Sequence, residues 1–450
     1  MHRYSDETER LAQAVMRVAL DRLRMDAPLD GPRSKDELEA KAGQTISAGG
    51  MGGEEALRIW TDILAPATMS VDHPRYLAFI PGAPTEVSTL FDLVVGASSL
   101  YGGSWLESSG AVYAENQALG WVAGLAGLPE GAGGCFAQGG TVGNLSALVA
   151  ARHTMLERRG GERPRRWQVA ITAETHSSVV YDLERVMDVD AVNVPADERG
   201  RMTGKSLEQA LVGADTDGLF AVVATAGTTN TGVVDDLAGI AEVCRRRGIW
   251  MHVDGAYGAA ALAAPSARHL FAGIEHADSF IVDPHKWLFG PFDCCALLYR
   301  DPELARRAHT QHAGYLDVVT SDEVWNPSDY AVHLSRRARG LPFWFSLAVH
   351  GTDAYRDALE TTLRVARESA EEIRRRPYVE LLLEPDLSVL IFRRIGWDPA
   401  DYHSWSRRLL AEGYAFVTPT THNGETCTRI AIVNPRTTVS DIVGILATMA

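Results

Sequence analysis

Lys286 is the residue whose surroundings in the sequence most favour covalent chemistry. The chain has four lysines, and only Lys286 lies between apolar runs, in the segment DPHKW that follows SFIV. A lysine at the end of a buried strand loses hydration, which lowers the pKa of its amine and makes the amine nucleophilic. We therefore expect Lys286 to form a Schiff base with an aldehyde. A simpler alternative, a partly buried lysine that pairs with Asp283, stays open at this point.

Asp254 closes the apolar run IWMHVD and is predicted to lie at the carboxyl end of a strand. Open α/β sheets bind their ligands at that edge. A carboxylate there can keep a pyridine nitrogen protonated, which makes the ring an electron sink, and the small residues Gly255 and Ala256 leave room for a flat ring. The alternative is an aspartate that only caps the next helix.

The Gly-rich segment CFAQGGTVGNLSAL, residues 135–148, is predicted to run from a strand into a helix. The free N–H groups of a helix start, together with the Thr141 hydroxyl, could hold a phosphate group. Such turns are also common without any ligand. The segment lacks both G-K-[ST] and G-x-G-x-x-G, which disfavours ATP and NAD.

His176, in ETHSSV after the strand WQVAIT, is predicted to lie at a comparable strand end. An imidazole there can stack on a planar ring, bind a substrate carboxylate or shuttle protons, although a structural histidine is the simpler interpretation. Tyr315, in HAGYLD, begins a polar stretch that is typical of a loop. Nothing in its local sequence indicates catalysis.

Short apolar runs alternate with helical patterns between about residues 134 and 300, which predicts an α/β fold with a mainly parallel sheet covered on both faces. A chain of 450 residues is too long for a single core. We predict three parts: an N-terminal helical arm at 1–75, a large cofactor domain at 76–340, and a smaller C-terminal α+β domain at 341–450.

The formal net charge of −15, from 43 basic and 58 acidic residues, argues against nucleic-acid and membrane partners. The N-terminal sequence is polar, and no apolar run is long enough to cross a bilayer, so a cytoplasmic protein is expected. The five cysteines are scattered without C-x-x-C spacing, which indicates buried or incidental thiols and no metal site.

The ordered set of motifs from about residue 70 onward resembles the group II pyridoxal-phosphate-dependent decarboxylases, the family of aromatic L-amino acid, glutamate and diaminobutyrate decarboxylases. The segments that carry the resemblance include HPRYLAFIPGAP, WLESSGAVYAENQAL, QGGTVGNLSALVAAR, ETHSSV, TAGTTNTGVVDD, WMHVDGAYG, HADSFIVDPHKWLFGPFDC, HAGYLD, SRRARGLPFWF and RIAIVNPRTT. Each segment alone is weak evidence, whereas the ordered set is specific. The resemblance implies fold type I, the aspartate-aminotransferase type, in a homodimer with its active site at the subunit interface.

The resemblance also implies a role for each matching residue. Lys286 is expected to be the Schiff-base lysine, Asp254 the partner of the pyridine nitrogen, and Ala256 a contact of the ring. Gly140 and Thr141 match the phosphate-binding turn, His285 a contact on the phosphate side, and Thr229 a further cofactor contact. His176 matches the stacking histidine, and Tyr315 the loop tyrosine that protonates the carbanion after carbon dioxide leaves. The expected reaction converts an L-amino acid to the corresponding amine and carbon dioxide.

The chain departs from the family pattern at four positions. Asp283 stands where the aromatic enzymes usually have asparagine, and Gly110 replaces a proline common after the serine. Ile80 and Gly82 stand where aromatic-specific relatives carry an aromatic residue and a threonine. We therefore do not transfer an aromatic substrate to this chain.

Three alternatives stay open. A decarboxylation-coupled oxidation would give an aldehyde, an outcome linked in the family to phenylalanine at the loop position, so Tyr315 favours plain decarboxylation. A carbon–carbon lyase would need a basic cluster for a second phosphate, and the sequence has none that stands out. A catalytically silent relative would serve as a binding or regulatory subunit, which disagrees with the intact set of Lys286, Asp254, His176 and Tyr315.

Overall fold

A computed structural model describes residues 2–80, 82–311 and 324–450 of the chain. Its α-helices are α1 Asp6–Arg24, α2 Lys35–Ala42, α3 Gly53–Ile59, α4 Glu86–Ser98, α5 Trp105–Leu125, α6 Gly140–Arg158, α7 Ser177–Tyr181, α8 Gly204–Leu211, α9 Leu237–Arg247, α10 Pro302–His309, α11 Leu341–Arg374, α12 Pro399–Ala411 and α13 Val439–Ala447. Its strands are β1 Gly133–Ala137, β2 Gln168–Ile171, β3 Asp190–Asn193, β4 Leu219–Thr225, β5 Trp250–Asp254, β6 Ser279–Val282, β7 Cys295–Tyr299, β8 Val379–Leu383, β9 Val389–Arg394, β10 Thr418–His422 and β11 Glu425–Ala431.

Within the described residues, seven strands form one large sheet in the order β1-β7-β6-β5-β4-β2-β3. Neighbours from β6 to β3 pair in parallel, whereas β7 pairs antiparallel with both β6 and β1. Every residue of β4, β5 and β6 is buried, as expected when helices cover both faces of a parallel sheet. The predicted α/β fold with a mainly parallel sheet is confirmed.

The edge strand β3 was not predicted from the sequence. Its four residues, DAVN, are exposed or half-buried and include two polar side chains, so they lack the apolar run that marks the inner strands. These residues form a strand because Asp190–Asn193 pairs in parallel with β2 at the edge of the sheet. Hydrogen bonding to the edge strand β2 therefore determines the conformation of this segment, which its local sequence does not predict.

A second sheet, of order β10-β11-β9-β8, lies in the C-terminal part of the described chain. The long helix α11 precedes it, and buried side chains of α11, α12 and α13 pack into a common core with β9 and β11. The proposed domain bounds at 75/76 and 340/341 stay a prediction. None of the described helices is long and apolar enough to span a membrane.

Candidate active site

All predicted site residues that the structure describes line one cavity of about 280 Å³. These residues are Gly140, Thr141, His176, Thr229, Asp254, Ala256, His285 and Lys286. A larger groove of about 910 Å³ lies beside α1, and none of these residues lines it. The smaller cavity is near the lower end of the usual size range for cofactor sites, about 300 Å³ upward.

The cavity lies where three neighbouring parallel strands end. Thr225 is the last residue of β4, Asp254 is the last residue of β5, and Asp283 directly follows β6. Because β4, β5 and β6 are adjacent and parallel, their carboxyl ends meet at one edge of the sheet. The segment that carries Lys286 starts from this same edge.

Asp254 is almost fully buried, with 6% of its surface exposed. Its Oδ2 accepts a hydrogen bond from Nδ2 of Asn144 at 3.0 Å, and its Oδ1 accepts one from the backbone N–H of Ala256 at 3.1 Å. Two N–H donors from different elements therefore fix the orientation of this carboxylate. Asp254 is not an N-cap of a following α-helix, which disfavours the simpler alternative for this residue.

The Lys286 amine forms an ion pair with Asp283, with Nζ 2.9 Å from Oδ2. Burial lowers the pKa of Lys286, but the charge and hydrogen bond of Asp283, together with the charge of Asp254, outweigh burial and raise the pKa overall. The sequence left two possibilities open for this lysine, a covalent role and a pair with Asp283. The pair is present, and the amine also lines the cavity.

His285 lies beside this ion pair and is nearly buried, with its Nε2 3.7 Å from Oδ2 of Asp283. Its Nδ1 lies 2.7 Å from the carbonyl oxygen of Cys294, which fixes the ring. Burial lowers the pKa of His285. A neutral, oriented imidazole therefore faces this side of the cavity.

The start of α6 forms another part of the cavity wall, next to Asp283. Gly139 is the N-cap of this helix and has no side chain that could cap it. The N–H of Gly140 donates to Oδ2 of Asp283 at 3.3 Å, and a Cβ at Gly140 would lie 3.2 Å from Cβ of Ala256. The uncapped first turn, with the Thr141 side chain, offers N–H groups to an anion.

His176 and Thr229 complete the set around the cavity. His176 is the N-cap of α7, and its Nδ1 accepts a hydrogen bond from the backbone N–H of Ser178 at 3.2 Å, which leaves Nε2 as its donor nitrogen. The carbonyl of Thr229 accepts a hydrogen bond from Arg429 of β11 at 2.7 Å, which ties the cavity to the small sheet. Tyr315 lies outside the described residues.

Sequence reasoning missed several residues that line the cavity, among them Asn144 and Thr225. Asn144 lies one helical turn after Gly140, so the sequence did contain a signal: a polar residue on the same face of a helix that is otherwise apolar there. Thr225 closes the run LFAVVAT just as Asp254 closes its own run. Its buried Oγ1 has no hydrogen-bond partner among the described residues.

These residues fit the cofactor that the family resemblance implies. The uncapped start of α6 suits a phosphate group, the Lys286 amine suits an aldehyde, and the Asp254 carboxylate suits a protonated ring nitrogen. The unpartnered hydroxyl of Thr225 leaves a polar group free for a ligand in the same cavity. Buried polar atoms normally have partners, so this hydroxyl is itself an indication of a bound group.

Comparison with known proteins gives the same assignment. The model of the pyridoxal-dependent decarboxylase conserved domain matches residues 54–395. The chain is 29% identical to an aromatic-L-amino-acid decarboxylase of Bacillus atrophaeus over 93% of this chain and 89% of the relative. It is also 29% identical to a phenylacetaldehyde synthase of Petunia hybrida, over 76% and 70% of the two chains.

The fold is shared with solved structures. A crystal structure of Oryza sativa TDC with PLP and tryptamine superposes with a TM-score of 0.90 at 23% identity, covering 100% of this chain and 99% of the other. At 23% identity, this superposition shows that the two chains share a fold. The domain match spans most of the chain, and the cavity fits the cofactor, so this chain belongs to the family of pyridoxal-phosphate-dependent amino acid decarboxylases.

Proposed function

We propose that this chain converts an L-amino acid to the corresponding amine and carbon dioxide, with pyridoxal phosphate bound through Nζ of Lys286. The observation that carries the proposal is the shared cavity, which brings the Lys286 amine, the Asp254 carboxylate and the uncapped start of α6 to one edge of the sheet. When bound, the cofactor supplies an electron-accepting ring conjugated to its aldehyde carbon.

The residues around this cavity have separate tasks in the proposal. Asp254 holds a proton on the ring nitrogen, which strengthens the electron sink. The first turn of α6, with Gly140 and Thr141, binds the phosphate group, and His285 lies on the same side. Lys286 would hold the cofactor through its aldehyde carbon, with Nζ in the cavity that the substrate amine would share.

Two further residues handle the substrate. His176, with Nε2 as its donor nitrogen, stacks on the ring and contacts the substrate carboxylate. Tyr315 delivers a proton to the Cα atom after carbon dioxide leaves. This role for Tyr315 comes from the family resemblance, and the residue is outside the described part of the chain.

Borohydride reduction of the holoprotein tests the covalent part of the proposal. Reduction followed by peptide mapping should place the cofactor on Lys286, and Lys286→Ala should abolish turnover. A matched control is Lys205→Ala on the exposed side of α8, which should keep both label and turnover. Appreciable decarboxylation by Lys286→Ala would refute the assigned role.

The substrate is best identified by a panel of L-amino acids scored for carbon dioxide release, with the product identified by mass spectrometry. An amine product supports plain decarboxylation. A colourless protein that takes up no cofactor would instead favour a silent regulatory subunit.

Aldehyde formation is the second candidate, because one relative is a phenylacetaldehyde synthase. The two outcomes differ in products, since the oxidative reaction also yields ammonia and hydrogen peroxide. Peroxide and aldehyde assays on the purified holoenzyme therefore separate them. The tyrosine at position 315 favours the amine.

We also propose a homodimer with the active site at the subunit interface, and a cytoplasmic location. The dimer is supported by exposed apolar side chains on α4 and α5, including Leu93 at 47% and Leu106 at 64% exposure. Large apolar side chains grouped on one face commonly mark an interface. The cytoplasmic location rests on the sequence alone.

A further inference from the structure

A chain of buried hydrogen bonds lies directly behind Asp254. Nε1 of Trp250 donates to Oγ of Ser279 at 2.8 Å, and Oγ of Ser279 lies 2.8 Å from Nδ1 of His252. Nε2 of His252 lies 2.8 Å from Oδ1 of Asn144, whose Nδ2 donates to Asp254. All of these side chains are at most 6% exposed. The chain links β5, β6 and α6 to the proposed ring-nitrogen partner.

The direction of these hydrogen bonds follows from the acceptor at their end. A carboxylate can only accept, so Asn144 turns its NH₂ group toward Asp254 and its Oδ1 toward His252. Nε2 of His252 therefore donates to Oδ1 of Asn144, and Nδ1 of the neutral ring accepts from the hydroxyl of Ser279. Ser279 in turn accepts from Trp250, because an indole N–H can only donate.

His252 is neutral in this arrangement. Burial lowers its pKa to about 4. A neutral imidazole has one N–H, so the position of that proton decides which end of the Asn144 amide faces each neighbour. The opposite tautomer would favour a flipped amide, with its carbonyl oxygen against the Asp254 carboxylate.

We propose that His252 and Asn144 are positioning residues that orient the Asp254 carboxylate toward the cofactor ring nitrogen. The inference rests on the proposed function, because it requires Asp254 to be the partner of that nitrogen. The Ala256 N–H holds the other carboxylate oxygen, so loss of the Asn144 donor leaves one hydrogen bond from the described residues and lets the carboxylate rotate. A rotated carboxylate would stabilise the protonated ring nitrogen less well and so weaken the electron sink.

The outer hydrogen-bond partners of metal ligands typically alter affinity or activity by about 10- to 100-fold, and we expect a similar size here. Asn144→Ala should lower kcat by about 10- to 100-fold. KM should change less, because the proposed role of Asn144 is to orient Asp254 and not to bind the substrate. The ring nitrogen should lose part of its proton.

His252 allows a matched pair of variants. The amide nitrogen of His252→Gln can take the place of Nε2 and keep the donor to Asn144. The side chain of His252→Asn takes the place of Nδ1, so it can contact Ser279 but loses Asn144. Both variants disturb the core to a similar degree, and only one preserves the proposed function of the histidine.

The measurement is the NMR shift of the ring nitrogen in holoenzyme loaded with pyridoxal phosphate labelled at that nitrogen, with kcat, KM and the melting temperature recorded alongside. We expect Asn144→Ala and His252→Asn to move the signal toward the unprotonated position and His252→Gln to return it toward wild type. If His252→Asn does not fold, Asn144→Ala carries the test, and a wild-type signal and kcat in that variant overturn the inference. Equal signals in the Gln and Asn variants would also overturn it.

Asp254→Asn separates this inference from the proposed function. If that variant keeps the wild-type signal and turnover, the assigned role of Asp254 is wrong. If Asp254→Asn loses the wild-type signal and turnover while Asn144→Ala and His252→Asn keep both, the role of Asp254 stands and only the positioning inference fails.

Discussion

Asp283 and Lys286 form a buried ion pair at the centre of the proposed site. The Asp283 side chain is 1% exposed, whereas about a quarter of the Lys286 side chain remains exposed toward the cavity. The carboxylate raises the pKa of an amine that must be unprotonated to attack an aldehyde. An asparagine at this position would carry no such charge, so it would not raise the pKa of the Lys286 amine in this way.

Asp283→Asn should make the Lys286 amine reactive at lower pH. Removing the carboxylate takes away the charge and hydrogen bond that oppose burial most strongly, so the pKa of Lys286 falls and more amine is unprotonated at neutral pH. The rate at which apoprotein combines with pyridoxal phosphate, followed by absorbance across pH, should therefore show a midpoint at lower pH than wild type. Asp293→Asn is the control, because Asp293 pairs with Arg339 instead, and its midpoint should not move. Coincident profiles for wild type and Asp283→Asn would contradict the prediction.

Gly82 is one of the four departures from the family pattern, and steric contacts explain it. A Cβ at this position would overlap the carbonyl oxygen of His285 and lie 2.6 Å from that of Lys286. Gly82 therefore packs directly on the backbone that carries the lysine. The threonine of aromatic-specific relatives would not fit here without a shift of that backbone.

Gly82→Ala should destabilise the protein by about 1–3 kcal/mol, the usual cost of overpacking, and weaken cofactor retention. Gly110→Ala is a matched control on α5, because a Cβ there has no described atom within 4 Å and alanine favours a helix by roughly 0.5–1 kcal/mol. Denaturant unfolding and the pyridoxal phosphate dissociation constant measure both effects. If Gly82→Ala leaves both the dissociation constant and the stability unchanged, the backbone at His285 can shift at little energetic cost and the prediction is wrong.

At the scale of elements, a buried ion pair joins α5 to the start of α11. Arg336 and Glu115 make two parallel hydrogen bonds of 2.8 Å, and the backbone N–H of Gly340 donates to the same carboxylate at 2.8 Å. Both side chains are at most 5% exposed. A buried pair of this kind stabilises only while both partners are present.

Glu115→Gln should lower the free energy of unfolding by about 3–5 kcal/mol, because it leaves the Arg336 charge buried without its counter-ion. The exposed pair of Arg364 and Glu368 provides the comparison, since Glu368→Gln should cost less than about 1 kcal/mol. Equilibrium denaturation of both variants tests the difference. Equal losses of under about 1 kcal/mol would show that a neutral amide in place of the Glu115 carboxylate still satisfies the arginine.

At the scale of the whole molecule, α4 presents an apolar stripe to solvent while α11 covers its other side. Leu90, Leu93 and Val94 are 36%, 47% and 50% exposed, and their spacing places them on one helix face. Burial of this stripe against a second copy of the chain would remove apolar surface from water. The proposed dimer gives that surface a partner.

Leu93→Glu should shift the protein from dimer to monomer, because burying an unpaired carboxylate in an interface is costly. If the active site lies at the interface, turnover should fall together with the dimer fraction. Val212→Glu, at an isolated side chain that is 70% exposed, should leave the assembly unchanged. Sedimentation velocity over a range of concentrations measures both variants, and a monomeric wild type would contradict the proposed dimer.

Local sequence was sufficient to predict the α/β fold and most of the inner strands. A buried parallel strand leaves a continuous apolar run, and a polar residue at its end is conspicuous, so Asp254 and Lys286 could be selected as site residues from the residues alone. The edge strand β3 lacks such a run and was missed. The roles of Thr229 and Tyr315 came only from the family resemblance.

Only the tertiary structure decided which of these residues meet. Asn144 and Asp254 are 110 positions apart in the chain, and their 3.0 Å hydrogen bond depends on α6 packing over β5. Strand order is set by long-range pairing that no local pattern encodes, and it places β4, β5 and β6 side by side so that their polar ends form one cavity. The sequence thus determined which side chains are available for chemistry, and the packing of the sheet determined their partners, because hydrogen bonds and charge effects act over a few ångströms in space.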